Sequence, residues 1–81
     1  MINFNNYAKE IEAVQEYRNH NGGGVSLSDA FDMFRADIIA GQALPYNTGD
    51  ALPGFDFAAA KAEWEDMTKA ERDSAVIGFQ K

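Results

Sequence analysis

The stretch 26–41, SLSDAFDMFRADIIAG, constrains the fold more than any other, because Leu27, Phe31, Phe34 and Ile38 recur at helical spacing on one stripe. Large apolar side chains on one helical face must be covered by the rest of the chain, so this segment is expected to be the central helix. Ser26 with Asp29 three residues on makes an approximate capping box, which satisfies backbone N–H groups at the helix start. Gly41 offers the left-handed stop at the other end.

Helices able to cover that stripe are legible on both sides. Asn5 or Asn6 can cap a first helix over about 7–19, with Tyr7, Ile11, Val14 and Tyr17 on one face. Asp56 reads as the N-cap of a third helix over about 57–66, with Phe57, Ala60, Trp64 and Met67 on its stripe. Thr68-Lys69-Ala70-Glu71 is a second capping box, starting a fourth helix at Lys69 that runs almost to the C-terminus and draws its apolar contacts from Ala70, Val76, Ile77 and Phe79. The expected fold is all-α: a small single-domain bundle of three to four helices over residues 1–81, with one long ordered loop. In it the central stripe packs against Tyr7, Ile11 and Val14 on one side and Phe57, Trp64 and Met67 on the other.

A chain of 81 residues buries only about 60% of its unfolded surface, so such a core has a small margin. Six Phe, three Tyr and one Trp are too many core formers for a disordered chain. With no cysteine there is neither a disulfide framework nor thiolate chemistry, which fits a reducing cytosol. No apolar run approaches a membrane span, and the first residues lack the layout of a signal peptide, so a cytoplasmic protein whose mature chain begins at Met1 is expected.

Thirteen acidic residues against seven basic ones give a formal charge of −6, which repels free nucleic acid and anionic membranes and favours a basic partner. Solubility alone also accounts for a negative surface. Asp29, Asp32 and Asp37 are expected to project away from the Phe31/Phe34 stripe, with Arg35 among them and Met33 nearby, as either an ordinary wet face or an interaction surface.

Motifs with chemical content are weak. Glu12 and Glu16 sit one helical turn apart, a spacing that suits a divalent ion but lacks convergent ligands. His20-Asn21-Gly22-Gly23-Gly24 ends the first helix and is expected to be a mobile linker. Leading into a helix start, it has a feature of phosphate-binding loops, yet the P-loop Lys and Ser/Thr and the preceding strand are missing. His20 beside Ser26 or Ser28 would need a third, orienting group to serve as a base. No catalytic, cofactor or metal residue is therefore assigned and no enzyme is expected, although two carboxylates alone can hydrolyse glycosides across a suitable cleft.

Segment 42–55, QALPYNTGDALPGF, is aperiodic and repeats Ala-Leu-Pro at Ala43-Leu44-Pro45 and Ala51-Leu52-Pro53 around an Asn47-Thr48-Gly49-Asp50 turn. Leu44, Tyr46, Leu52 and Phe55 are more apolar than a free linker needs, so the loop should pack onto the helices and any exposed member would anchor a partner. The acidic spacing of an EF-hand is absent. The candidate partner-binding residues are Asp29, Asp32, Asp37, Tyr46 and Asp50, with the first helix or Glu63, Glu65 and Asp66 as the alternative.

Residues 64–79, WEDMTKAERDSAVIGF, are similar to a Trp-x-x-Met/Leu-Thr/Ser-x-x-Glu-Arg/Lys pattern of short phage-encoded proteins. In overall character the chain resembles the small bacteriophage inhibitors of host defence or host enzymes, anti-CRISPR proteins among them. The resemblance implies a protein that acts by binding, occupying a site on a larger host protein such as one that normally grips nucleic acid; the charge adds the expectation that the partner is basic and that neither nucleic acid nor membrane is bound directly, and no cofactor is expected. The short turn between the third and fourth helices also permits a helix-turn-helix DNA-binding regulator, though the fourth helix mixes Lys69 and Arg72 with Glu71 and Asp73. A structural or assembly role is the third option.

Overall fold

A 3₁₀ turn, Phe4–Tyr7, leads directly into α1 (Ala8–His20), followed by α2 (Leu27–Ala40), α3 (Phe57–Glu65) and α4 (Lys69–Ile77). This is a computed structural model, and it describes residues 1–45, 47–48 and 51–79. The architecture is all-α, with no strand among the described residues.

The helix limits follow from local chemistry. At α2, Ser26 Oγ accepts from the Asp29 amide at 3.1 Å while Asp29 Oδ2 accepts from the Ser26 amide at 3.2 Å, and Gly41 closes the helix at φ 76°. Thr68 and Glu71 form the matching box at α4, and Asp56 Oδ1 accepts from the Ala59 amide at the start of α3. The N-terminal cap differs from expectation. Asn3, rather than Asn5 or Asn6, accepts from a backbone amide, and it caps the 3₁₀ turn, while α1 itself starts after Tyr7 with no side-chain cap. Asn5 instead donates its side-chain N–H to the carbonyl of Gly78 at 2.8 Å.

The core is aromatic and centred on Phe34, which is fully buried. Its ring lies 5.7 Å from Tyr7, 5.3 Å from Phe55 and 6.1 Å from Phe57, so the 3₁₀ turn, the loop and α3 all meet on α2. Phe4 is equally buried, 5.0 Å from Phe31 and 5.9 Å from Trp64. Each such ring stabilises the fold by about 1.5–3 kcal/mol through burial, and favourable edge-on pairing adds about 0.5–1.5 kcal/mol. Ile11, Val14, Ile38, Phe57, Ala60, Trp64 and Met67 are buried as the stripes predict, Ile2 and Ala30 complete the apolar core, and Leu27 is half-buried at the edge. Burial raises the pKa of the Tyr7 hydroxyl, and the carboxylates of Glu63 and Glu10 push it the same way.

Helix α4 is joined differently, since none of its residues is buried. It is held by the half-buried Ala75 and Val76, which pack against the core, and by two tethers. Arg72 Nε and Nη2 donate to the carbonyls of Trp64 and Glu65 at 2.9 and 3.1 Å, capping the last turn of α3, and beyond the helix Phe79 stacks on Phe31 at 4.5 Å.

Candidate interaction surface

The expected acidic face of α2 divides in two. Asp29 and Asp32 are exposed, the first in the capping box and the second 3.2 Å from Arg35. Asp37 is fully buried, which corrects its expected place on the outer face. At 100° per residue, a position three after Phe34 and one before Ile38 lies on the inward stripe. Asp37 Oδ1 accepts from Asn47 Nδ2 at 2.9 Å, and Oδ2 accepts from the amides of Leu44 and Thr48 at 3.2 and 3.3 Å and from the Thr48 hydroxyl. Among the described residues no cation pairs with it. Those donors satisfy the carboxylate, and it gathers the loop onto the end of α2. Tyr46 and Asp50 lie outside the described residues.

The glycine linker is stitched to α1. The amides of Gly22 and Gly23 donate to the carbonyls of Asn19 and Arg18, and the amide of Val25 donates to Asn19 Oδ1 at 2.7 Å. Gly22 and Gly24 take φ of 82° and 62°, conformations that glycine adopts without strain. Those inward bonds occupy amides that a phosphate cradle would turn toward its ligand. The Ser26 hydroxyl is engaged in the α2 cap and His20 is exposed at the end of α1. Among the described residues, no three of His, Cys, Asp or Glu converge to hold a metal ion, and no helix is long and apolar enough to cross a membrane.

Both signs leave charges outside ion pairs among the described residues: Lys9, Arg18 and Lys61 enter none, and Lys9 is exposed. Arg35 pairs with Asp32 and lies 5.5 Å over the Phe31 ring; Lys69 pairs with Asp73 at 2.9 Å; Arg72 lies 5.7 Å over Trp64 while capping α3. These three cations are therefore tied down within the chain. Glu12, Glu16, Glu65 and Asp66 are exposed and enter no ion pair among the described residues. Both acidic groups sit where a helix tolerates them poorly. Glu12 and Glu16 repel one another across one turn, at about 0.2–0.5 kcal/mol, and Glu65 and Asp66 oppose the negative end of the α3 dipole. Glu65 and Asp66 belong to the alternative set that the sequence offers, and carboxylates at a helix end are visible in a sequence without any tertiary information.

Compared with known proteins, the chain matches no family model, no curated protein and no solved structure.

Proposed function

We propose that this protein is a small acidic binding module, of the bacteriophage-inhibitor kind, that occupies a basic surface on a larger nucleic-acid-handling host protein in the host cytoplasm. The observation that carries the reading is the excess of exposed carboxylates outside any ion pair among the described residues: Glu12, Glu16, Glu65 and Asp66 face water there, against Lys9 as the exposed cation in the same state, while Arg35, Lys69 and Arg72 are tied to their own chain. A surface of that kind attracts a basic patch at long range and competes there with nucleic acid, and inhibition by occupancy requires no bond-making step. Asp29 and Asp32 add to the same field from the outer face of α2.

The test is capture from host lysate after nuclease digestion, followed by association kinetics with the purified partner. Steering between opposite charges is screened over about 8–10 Å at ordinary salt, so the association rate should fall about tenfold or more as salt rises. Reversing Glu12 and Glu16, or Glu65 and Asp66, to Lys should slow association at low salt, and nucleic acid should compete for the partner. Association that ignores both salt and charge reversal overturns the reading. A DNA duplex shifted by the purified chain at physiological salt would replace it with the DNA-binding regulator.

A further inference from the structure

Six asparagines occur in the chain, and one of them, Asn21, is followed by glycine. That pairing carries a chemistry of its own. The backbone nitrogen of the following residue can attack the asparagine Cγ and close a five-membered ring, and because the attack is intramolecular no enzyme has to bring the groups together. At the other five positions the follower is Phe4, Asn6, Tyr7, His20 or Thr48, whose side chain crowds the approach, whereas Gly22 has no Cβ and a wider range of backbone angles. Solvent reaches the place as well, since Asn21 and the glycines at 22–24 are exposed at the exit of α1.

We propose that Asn21-Gly22 is a self-modifying site that turns a neutral amide into a carboxylate at the end of α1, at a rate set by opening of that helix's last turn. The Gly22 nitrogen loses its proton to water or hydroxide and bonds to Asn21 Cγ, and Nδ2 leaves as ammonia, which gives a cyclic imide. Water then opens either imide carbonyl, leaving aspartate or, with the backbone rerouted through the side chain, isoaspartate. The sum is amide plus water to acid plus ammonia, with no change of oxidation state. In the folded chain the Gly22 amide donates to the Asn19 carbonyl at 3.1 Å and Asn21 Nδ2 donates to the Tyr17 carbonyl at 2.7 Å, so both bonds must break before the nitrogen can face Cγ. The product does not restore them. A carboxylate cannot donate to the Tyr17 carbonyl, and its charge meets the negative end of the α1 dipole and Glu16, which lines the same groove. Isoaspartate also lengthens the backbone where the amides of Asn21, Gly22 and Gly23 bond back to carbonyls of residues 17–19. An opening of the last turn is thereby made permanent: the modified chain adds one negative charge to the −6 of the original and has a looser joint between α1 and α2.

The full chain, incubated warm in mildly alkaline buffer and then digested with trypsin, should yield a peptide 19–35 that gains about 1 Da and separates into aspartate and isoaspartate forms. Asn21 should convert about tenfold or more faster than any other asparagine. Because that peptide also holds Asn19, Asn21→Gln supplies the assignment: the longer side chain needs a six-membered ring, and the mass gain in 19–35 should disappear. The chain in denaturant should convert faster than the folded chain, since the last turn is already released there. The modified form, separated on an anion exchanger by its added charge, should lose hydrogen-exchange protection at the amides of Asn21, Gly22 and Gly23 and keep it in α2. Faster conversion at another asparagine, a mass gain that survives Asn21→Gln, equal rates in the folded and denatured chain, or unchanged protection at those three amides would each overturn the proposal.

Discussion

Helices α2 and α4 begin with the same device and meet different fates. Both open on a capping box, Ser26 with Asp29 and Thr68 with Glu71, so their starts are specified equally well by local chemistry. Yet α2 buries Ala30, Phe31, Phe34, Asp37 and Ile38, whereas α4 fully buries no residue, half-buries Ala75 and Val76 against the core and is tethered through Arg72 and Phe79. The difference teaches that a cap decides where a helix starts while its apolar stripe decides how tightly it is held. A nine-residue helix is too short to persist alone in water, so α4 depends on these few contacts with the rest of the chain.

The most forceful way to break the comparison is on α2. Phe34→Ala empties the centre of the aromatic cluster and should cost about 3–5 kcal/mol, enough to unfold much of the population of so small a domain. A variant that melts like the parent in denaturant titration would remove Phe34 from the core.

Asp37→Ala comes next. It leaves the donors of Leu44, Asn47 and Thr48 without their shared acceptor, with an expected loss of about 2–4 kcal/mol. Hydrogen exchange should show the protection of the Leu44 and Thr48 amides falling further than that of α1, which separates loss of the loop anchor from general destabilisation.

The matched caps give the sharpest comparison. Ser26→Ala and Thr68→Ala should each cost their helix about 1 kcal/mol. Because α2 cannot fray without disturbing the core, Ser26→Ala should lower the global unfolding free energy by nearly that amount. Thr68→Ala should appear mainly as faster exchange of α4 amides, with a smaller change in global stability. Equal global losses would show that α4 is as tightly coupled to the core as α2.

The smallest effect concerns Tyr7, which rests on Phe34 of α2 and on Phe55 of the loop and has no ring contact with α4 among the described residues. Its pKa is raised in the folded state, so the unfolded chain releases the proton first. That contribution is complete below pH about 10 and is lost as pH rises through the higher folded value. Tyr7→Phe should flatten this alkaline limb in pH-dependent melting and leave neutral-pH stability changed by less than about 1 kcal/mol.

Much of the fold was legible because caps and stripes are local. Ser26, Gly41, Asp56 and Thr68 mark helix ends by their own side chains or backbone, and the Leu27/Phe31/Phe34/Ile38 stripe has a period that only a helix supplies. Ile2 and Phe4 were not legible as core residues, since a four-residue 3₁₀ turn carries no periodicity and the rings that cover Phe4, those of Phe31, Phe34 and Trp64, lie 27 to 60 positions away. For the site, the sign of the surface was readable from charge, but Asp37 was misplaced. Acids are usually exposed, and that expectation outweighed helical arithmetic that puts position 37 beside Phe34 and Ile38. Its donors, Asn47 and Thr48, were recognisable as turn formers, though nothing local connects them to a carboxylate ten and eleven positions earlier.

The bond from Asn5 to the Gly78 carbonyl spans 73 positions of sequence and only 2.8 Å of space. The backbone therefore traces something close to a ring, in which the first turn and the end of α4 are neighbours. A bridging peptide of a few residues, each reaching about 3.3–3.6 Å, would close that ring, and the chain could then be reopened in the glycine linker at 22–24, where every residue is exposed. A permuted protein of that kind would start with α2 and finish with α1 while keeping Phe4 between Phe31 and Trp64. The architecture is thus defined by which surfaces meet, and the order in which the helices are strung along the chain is largely interchangeable.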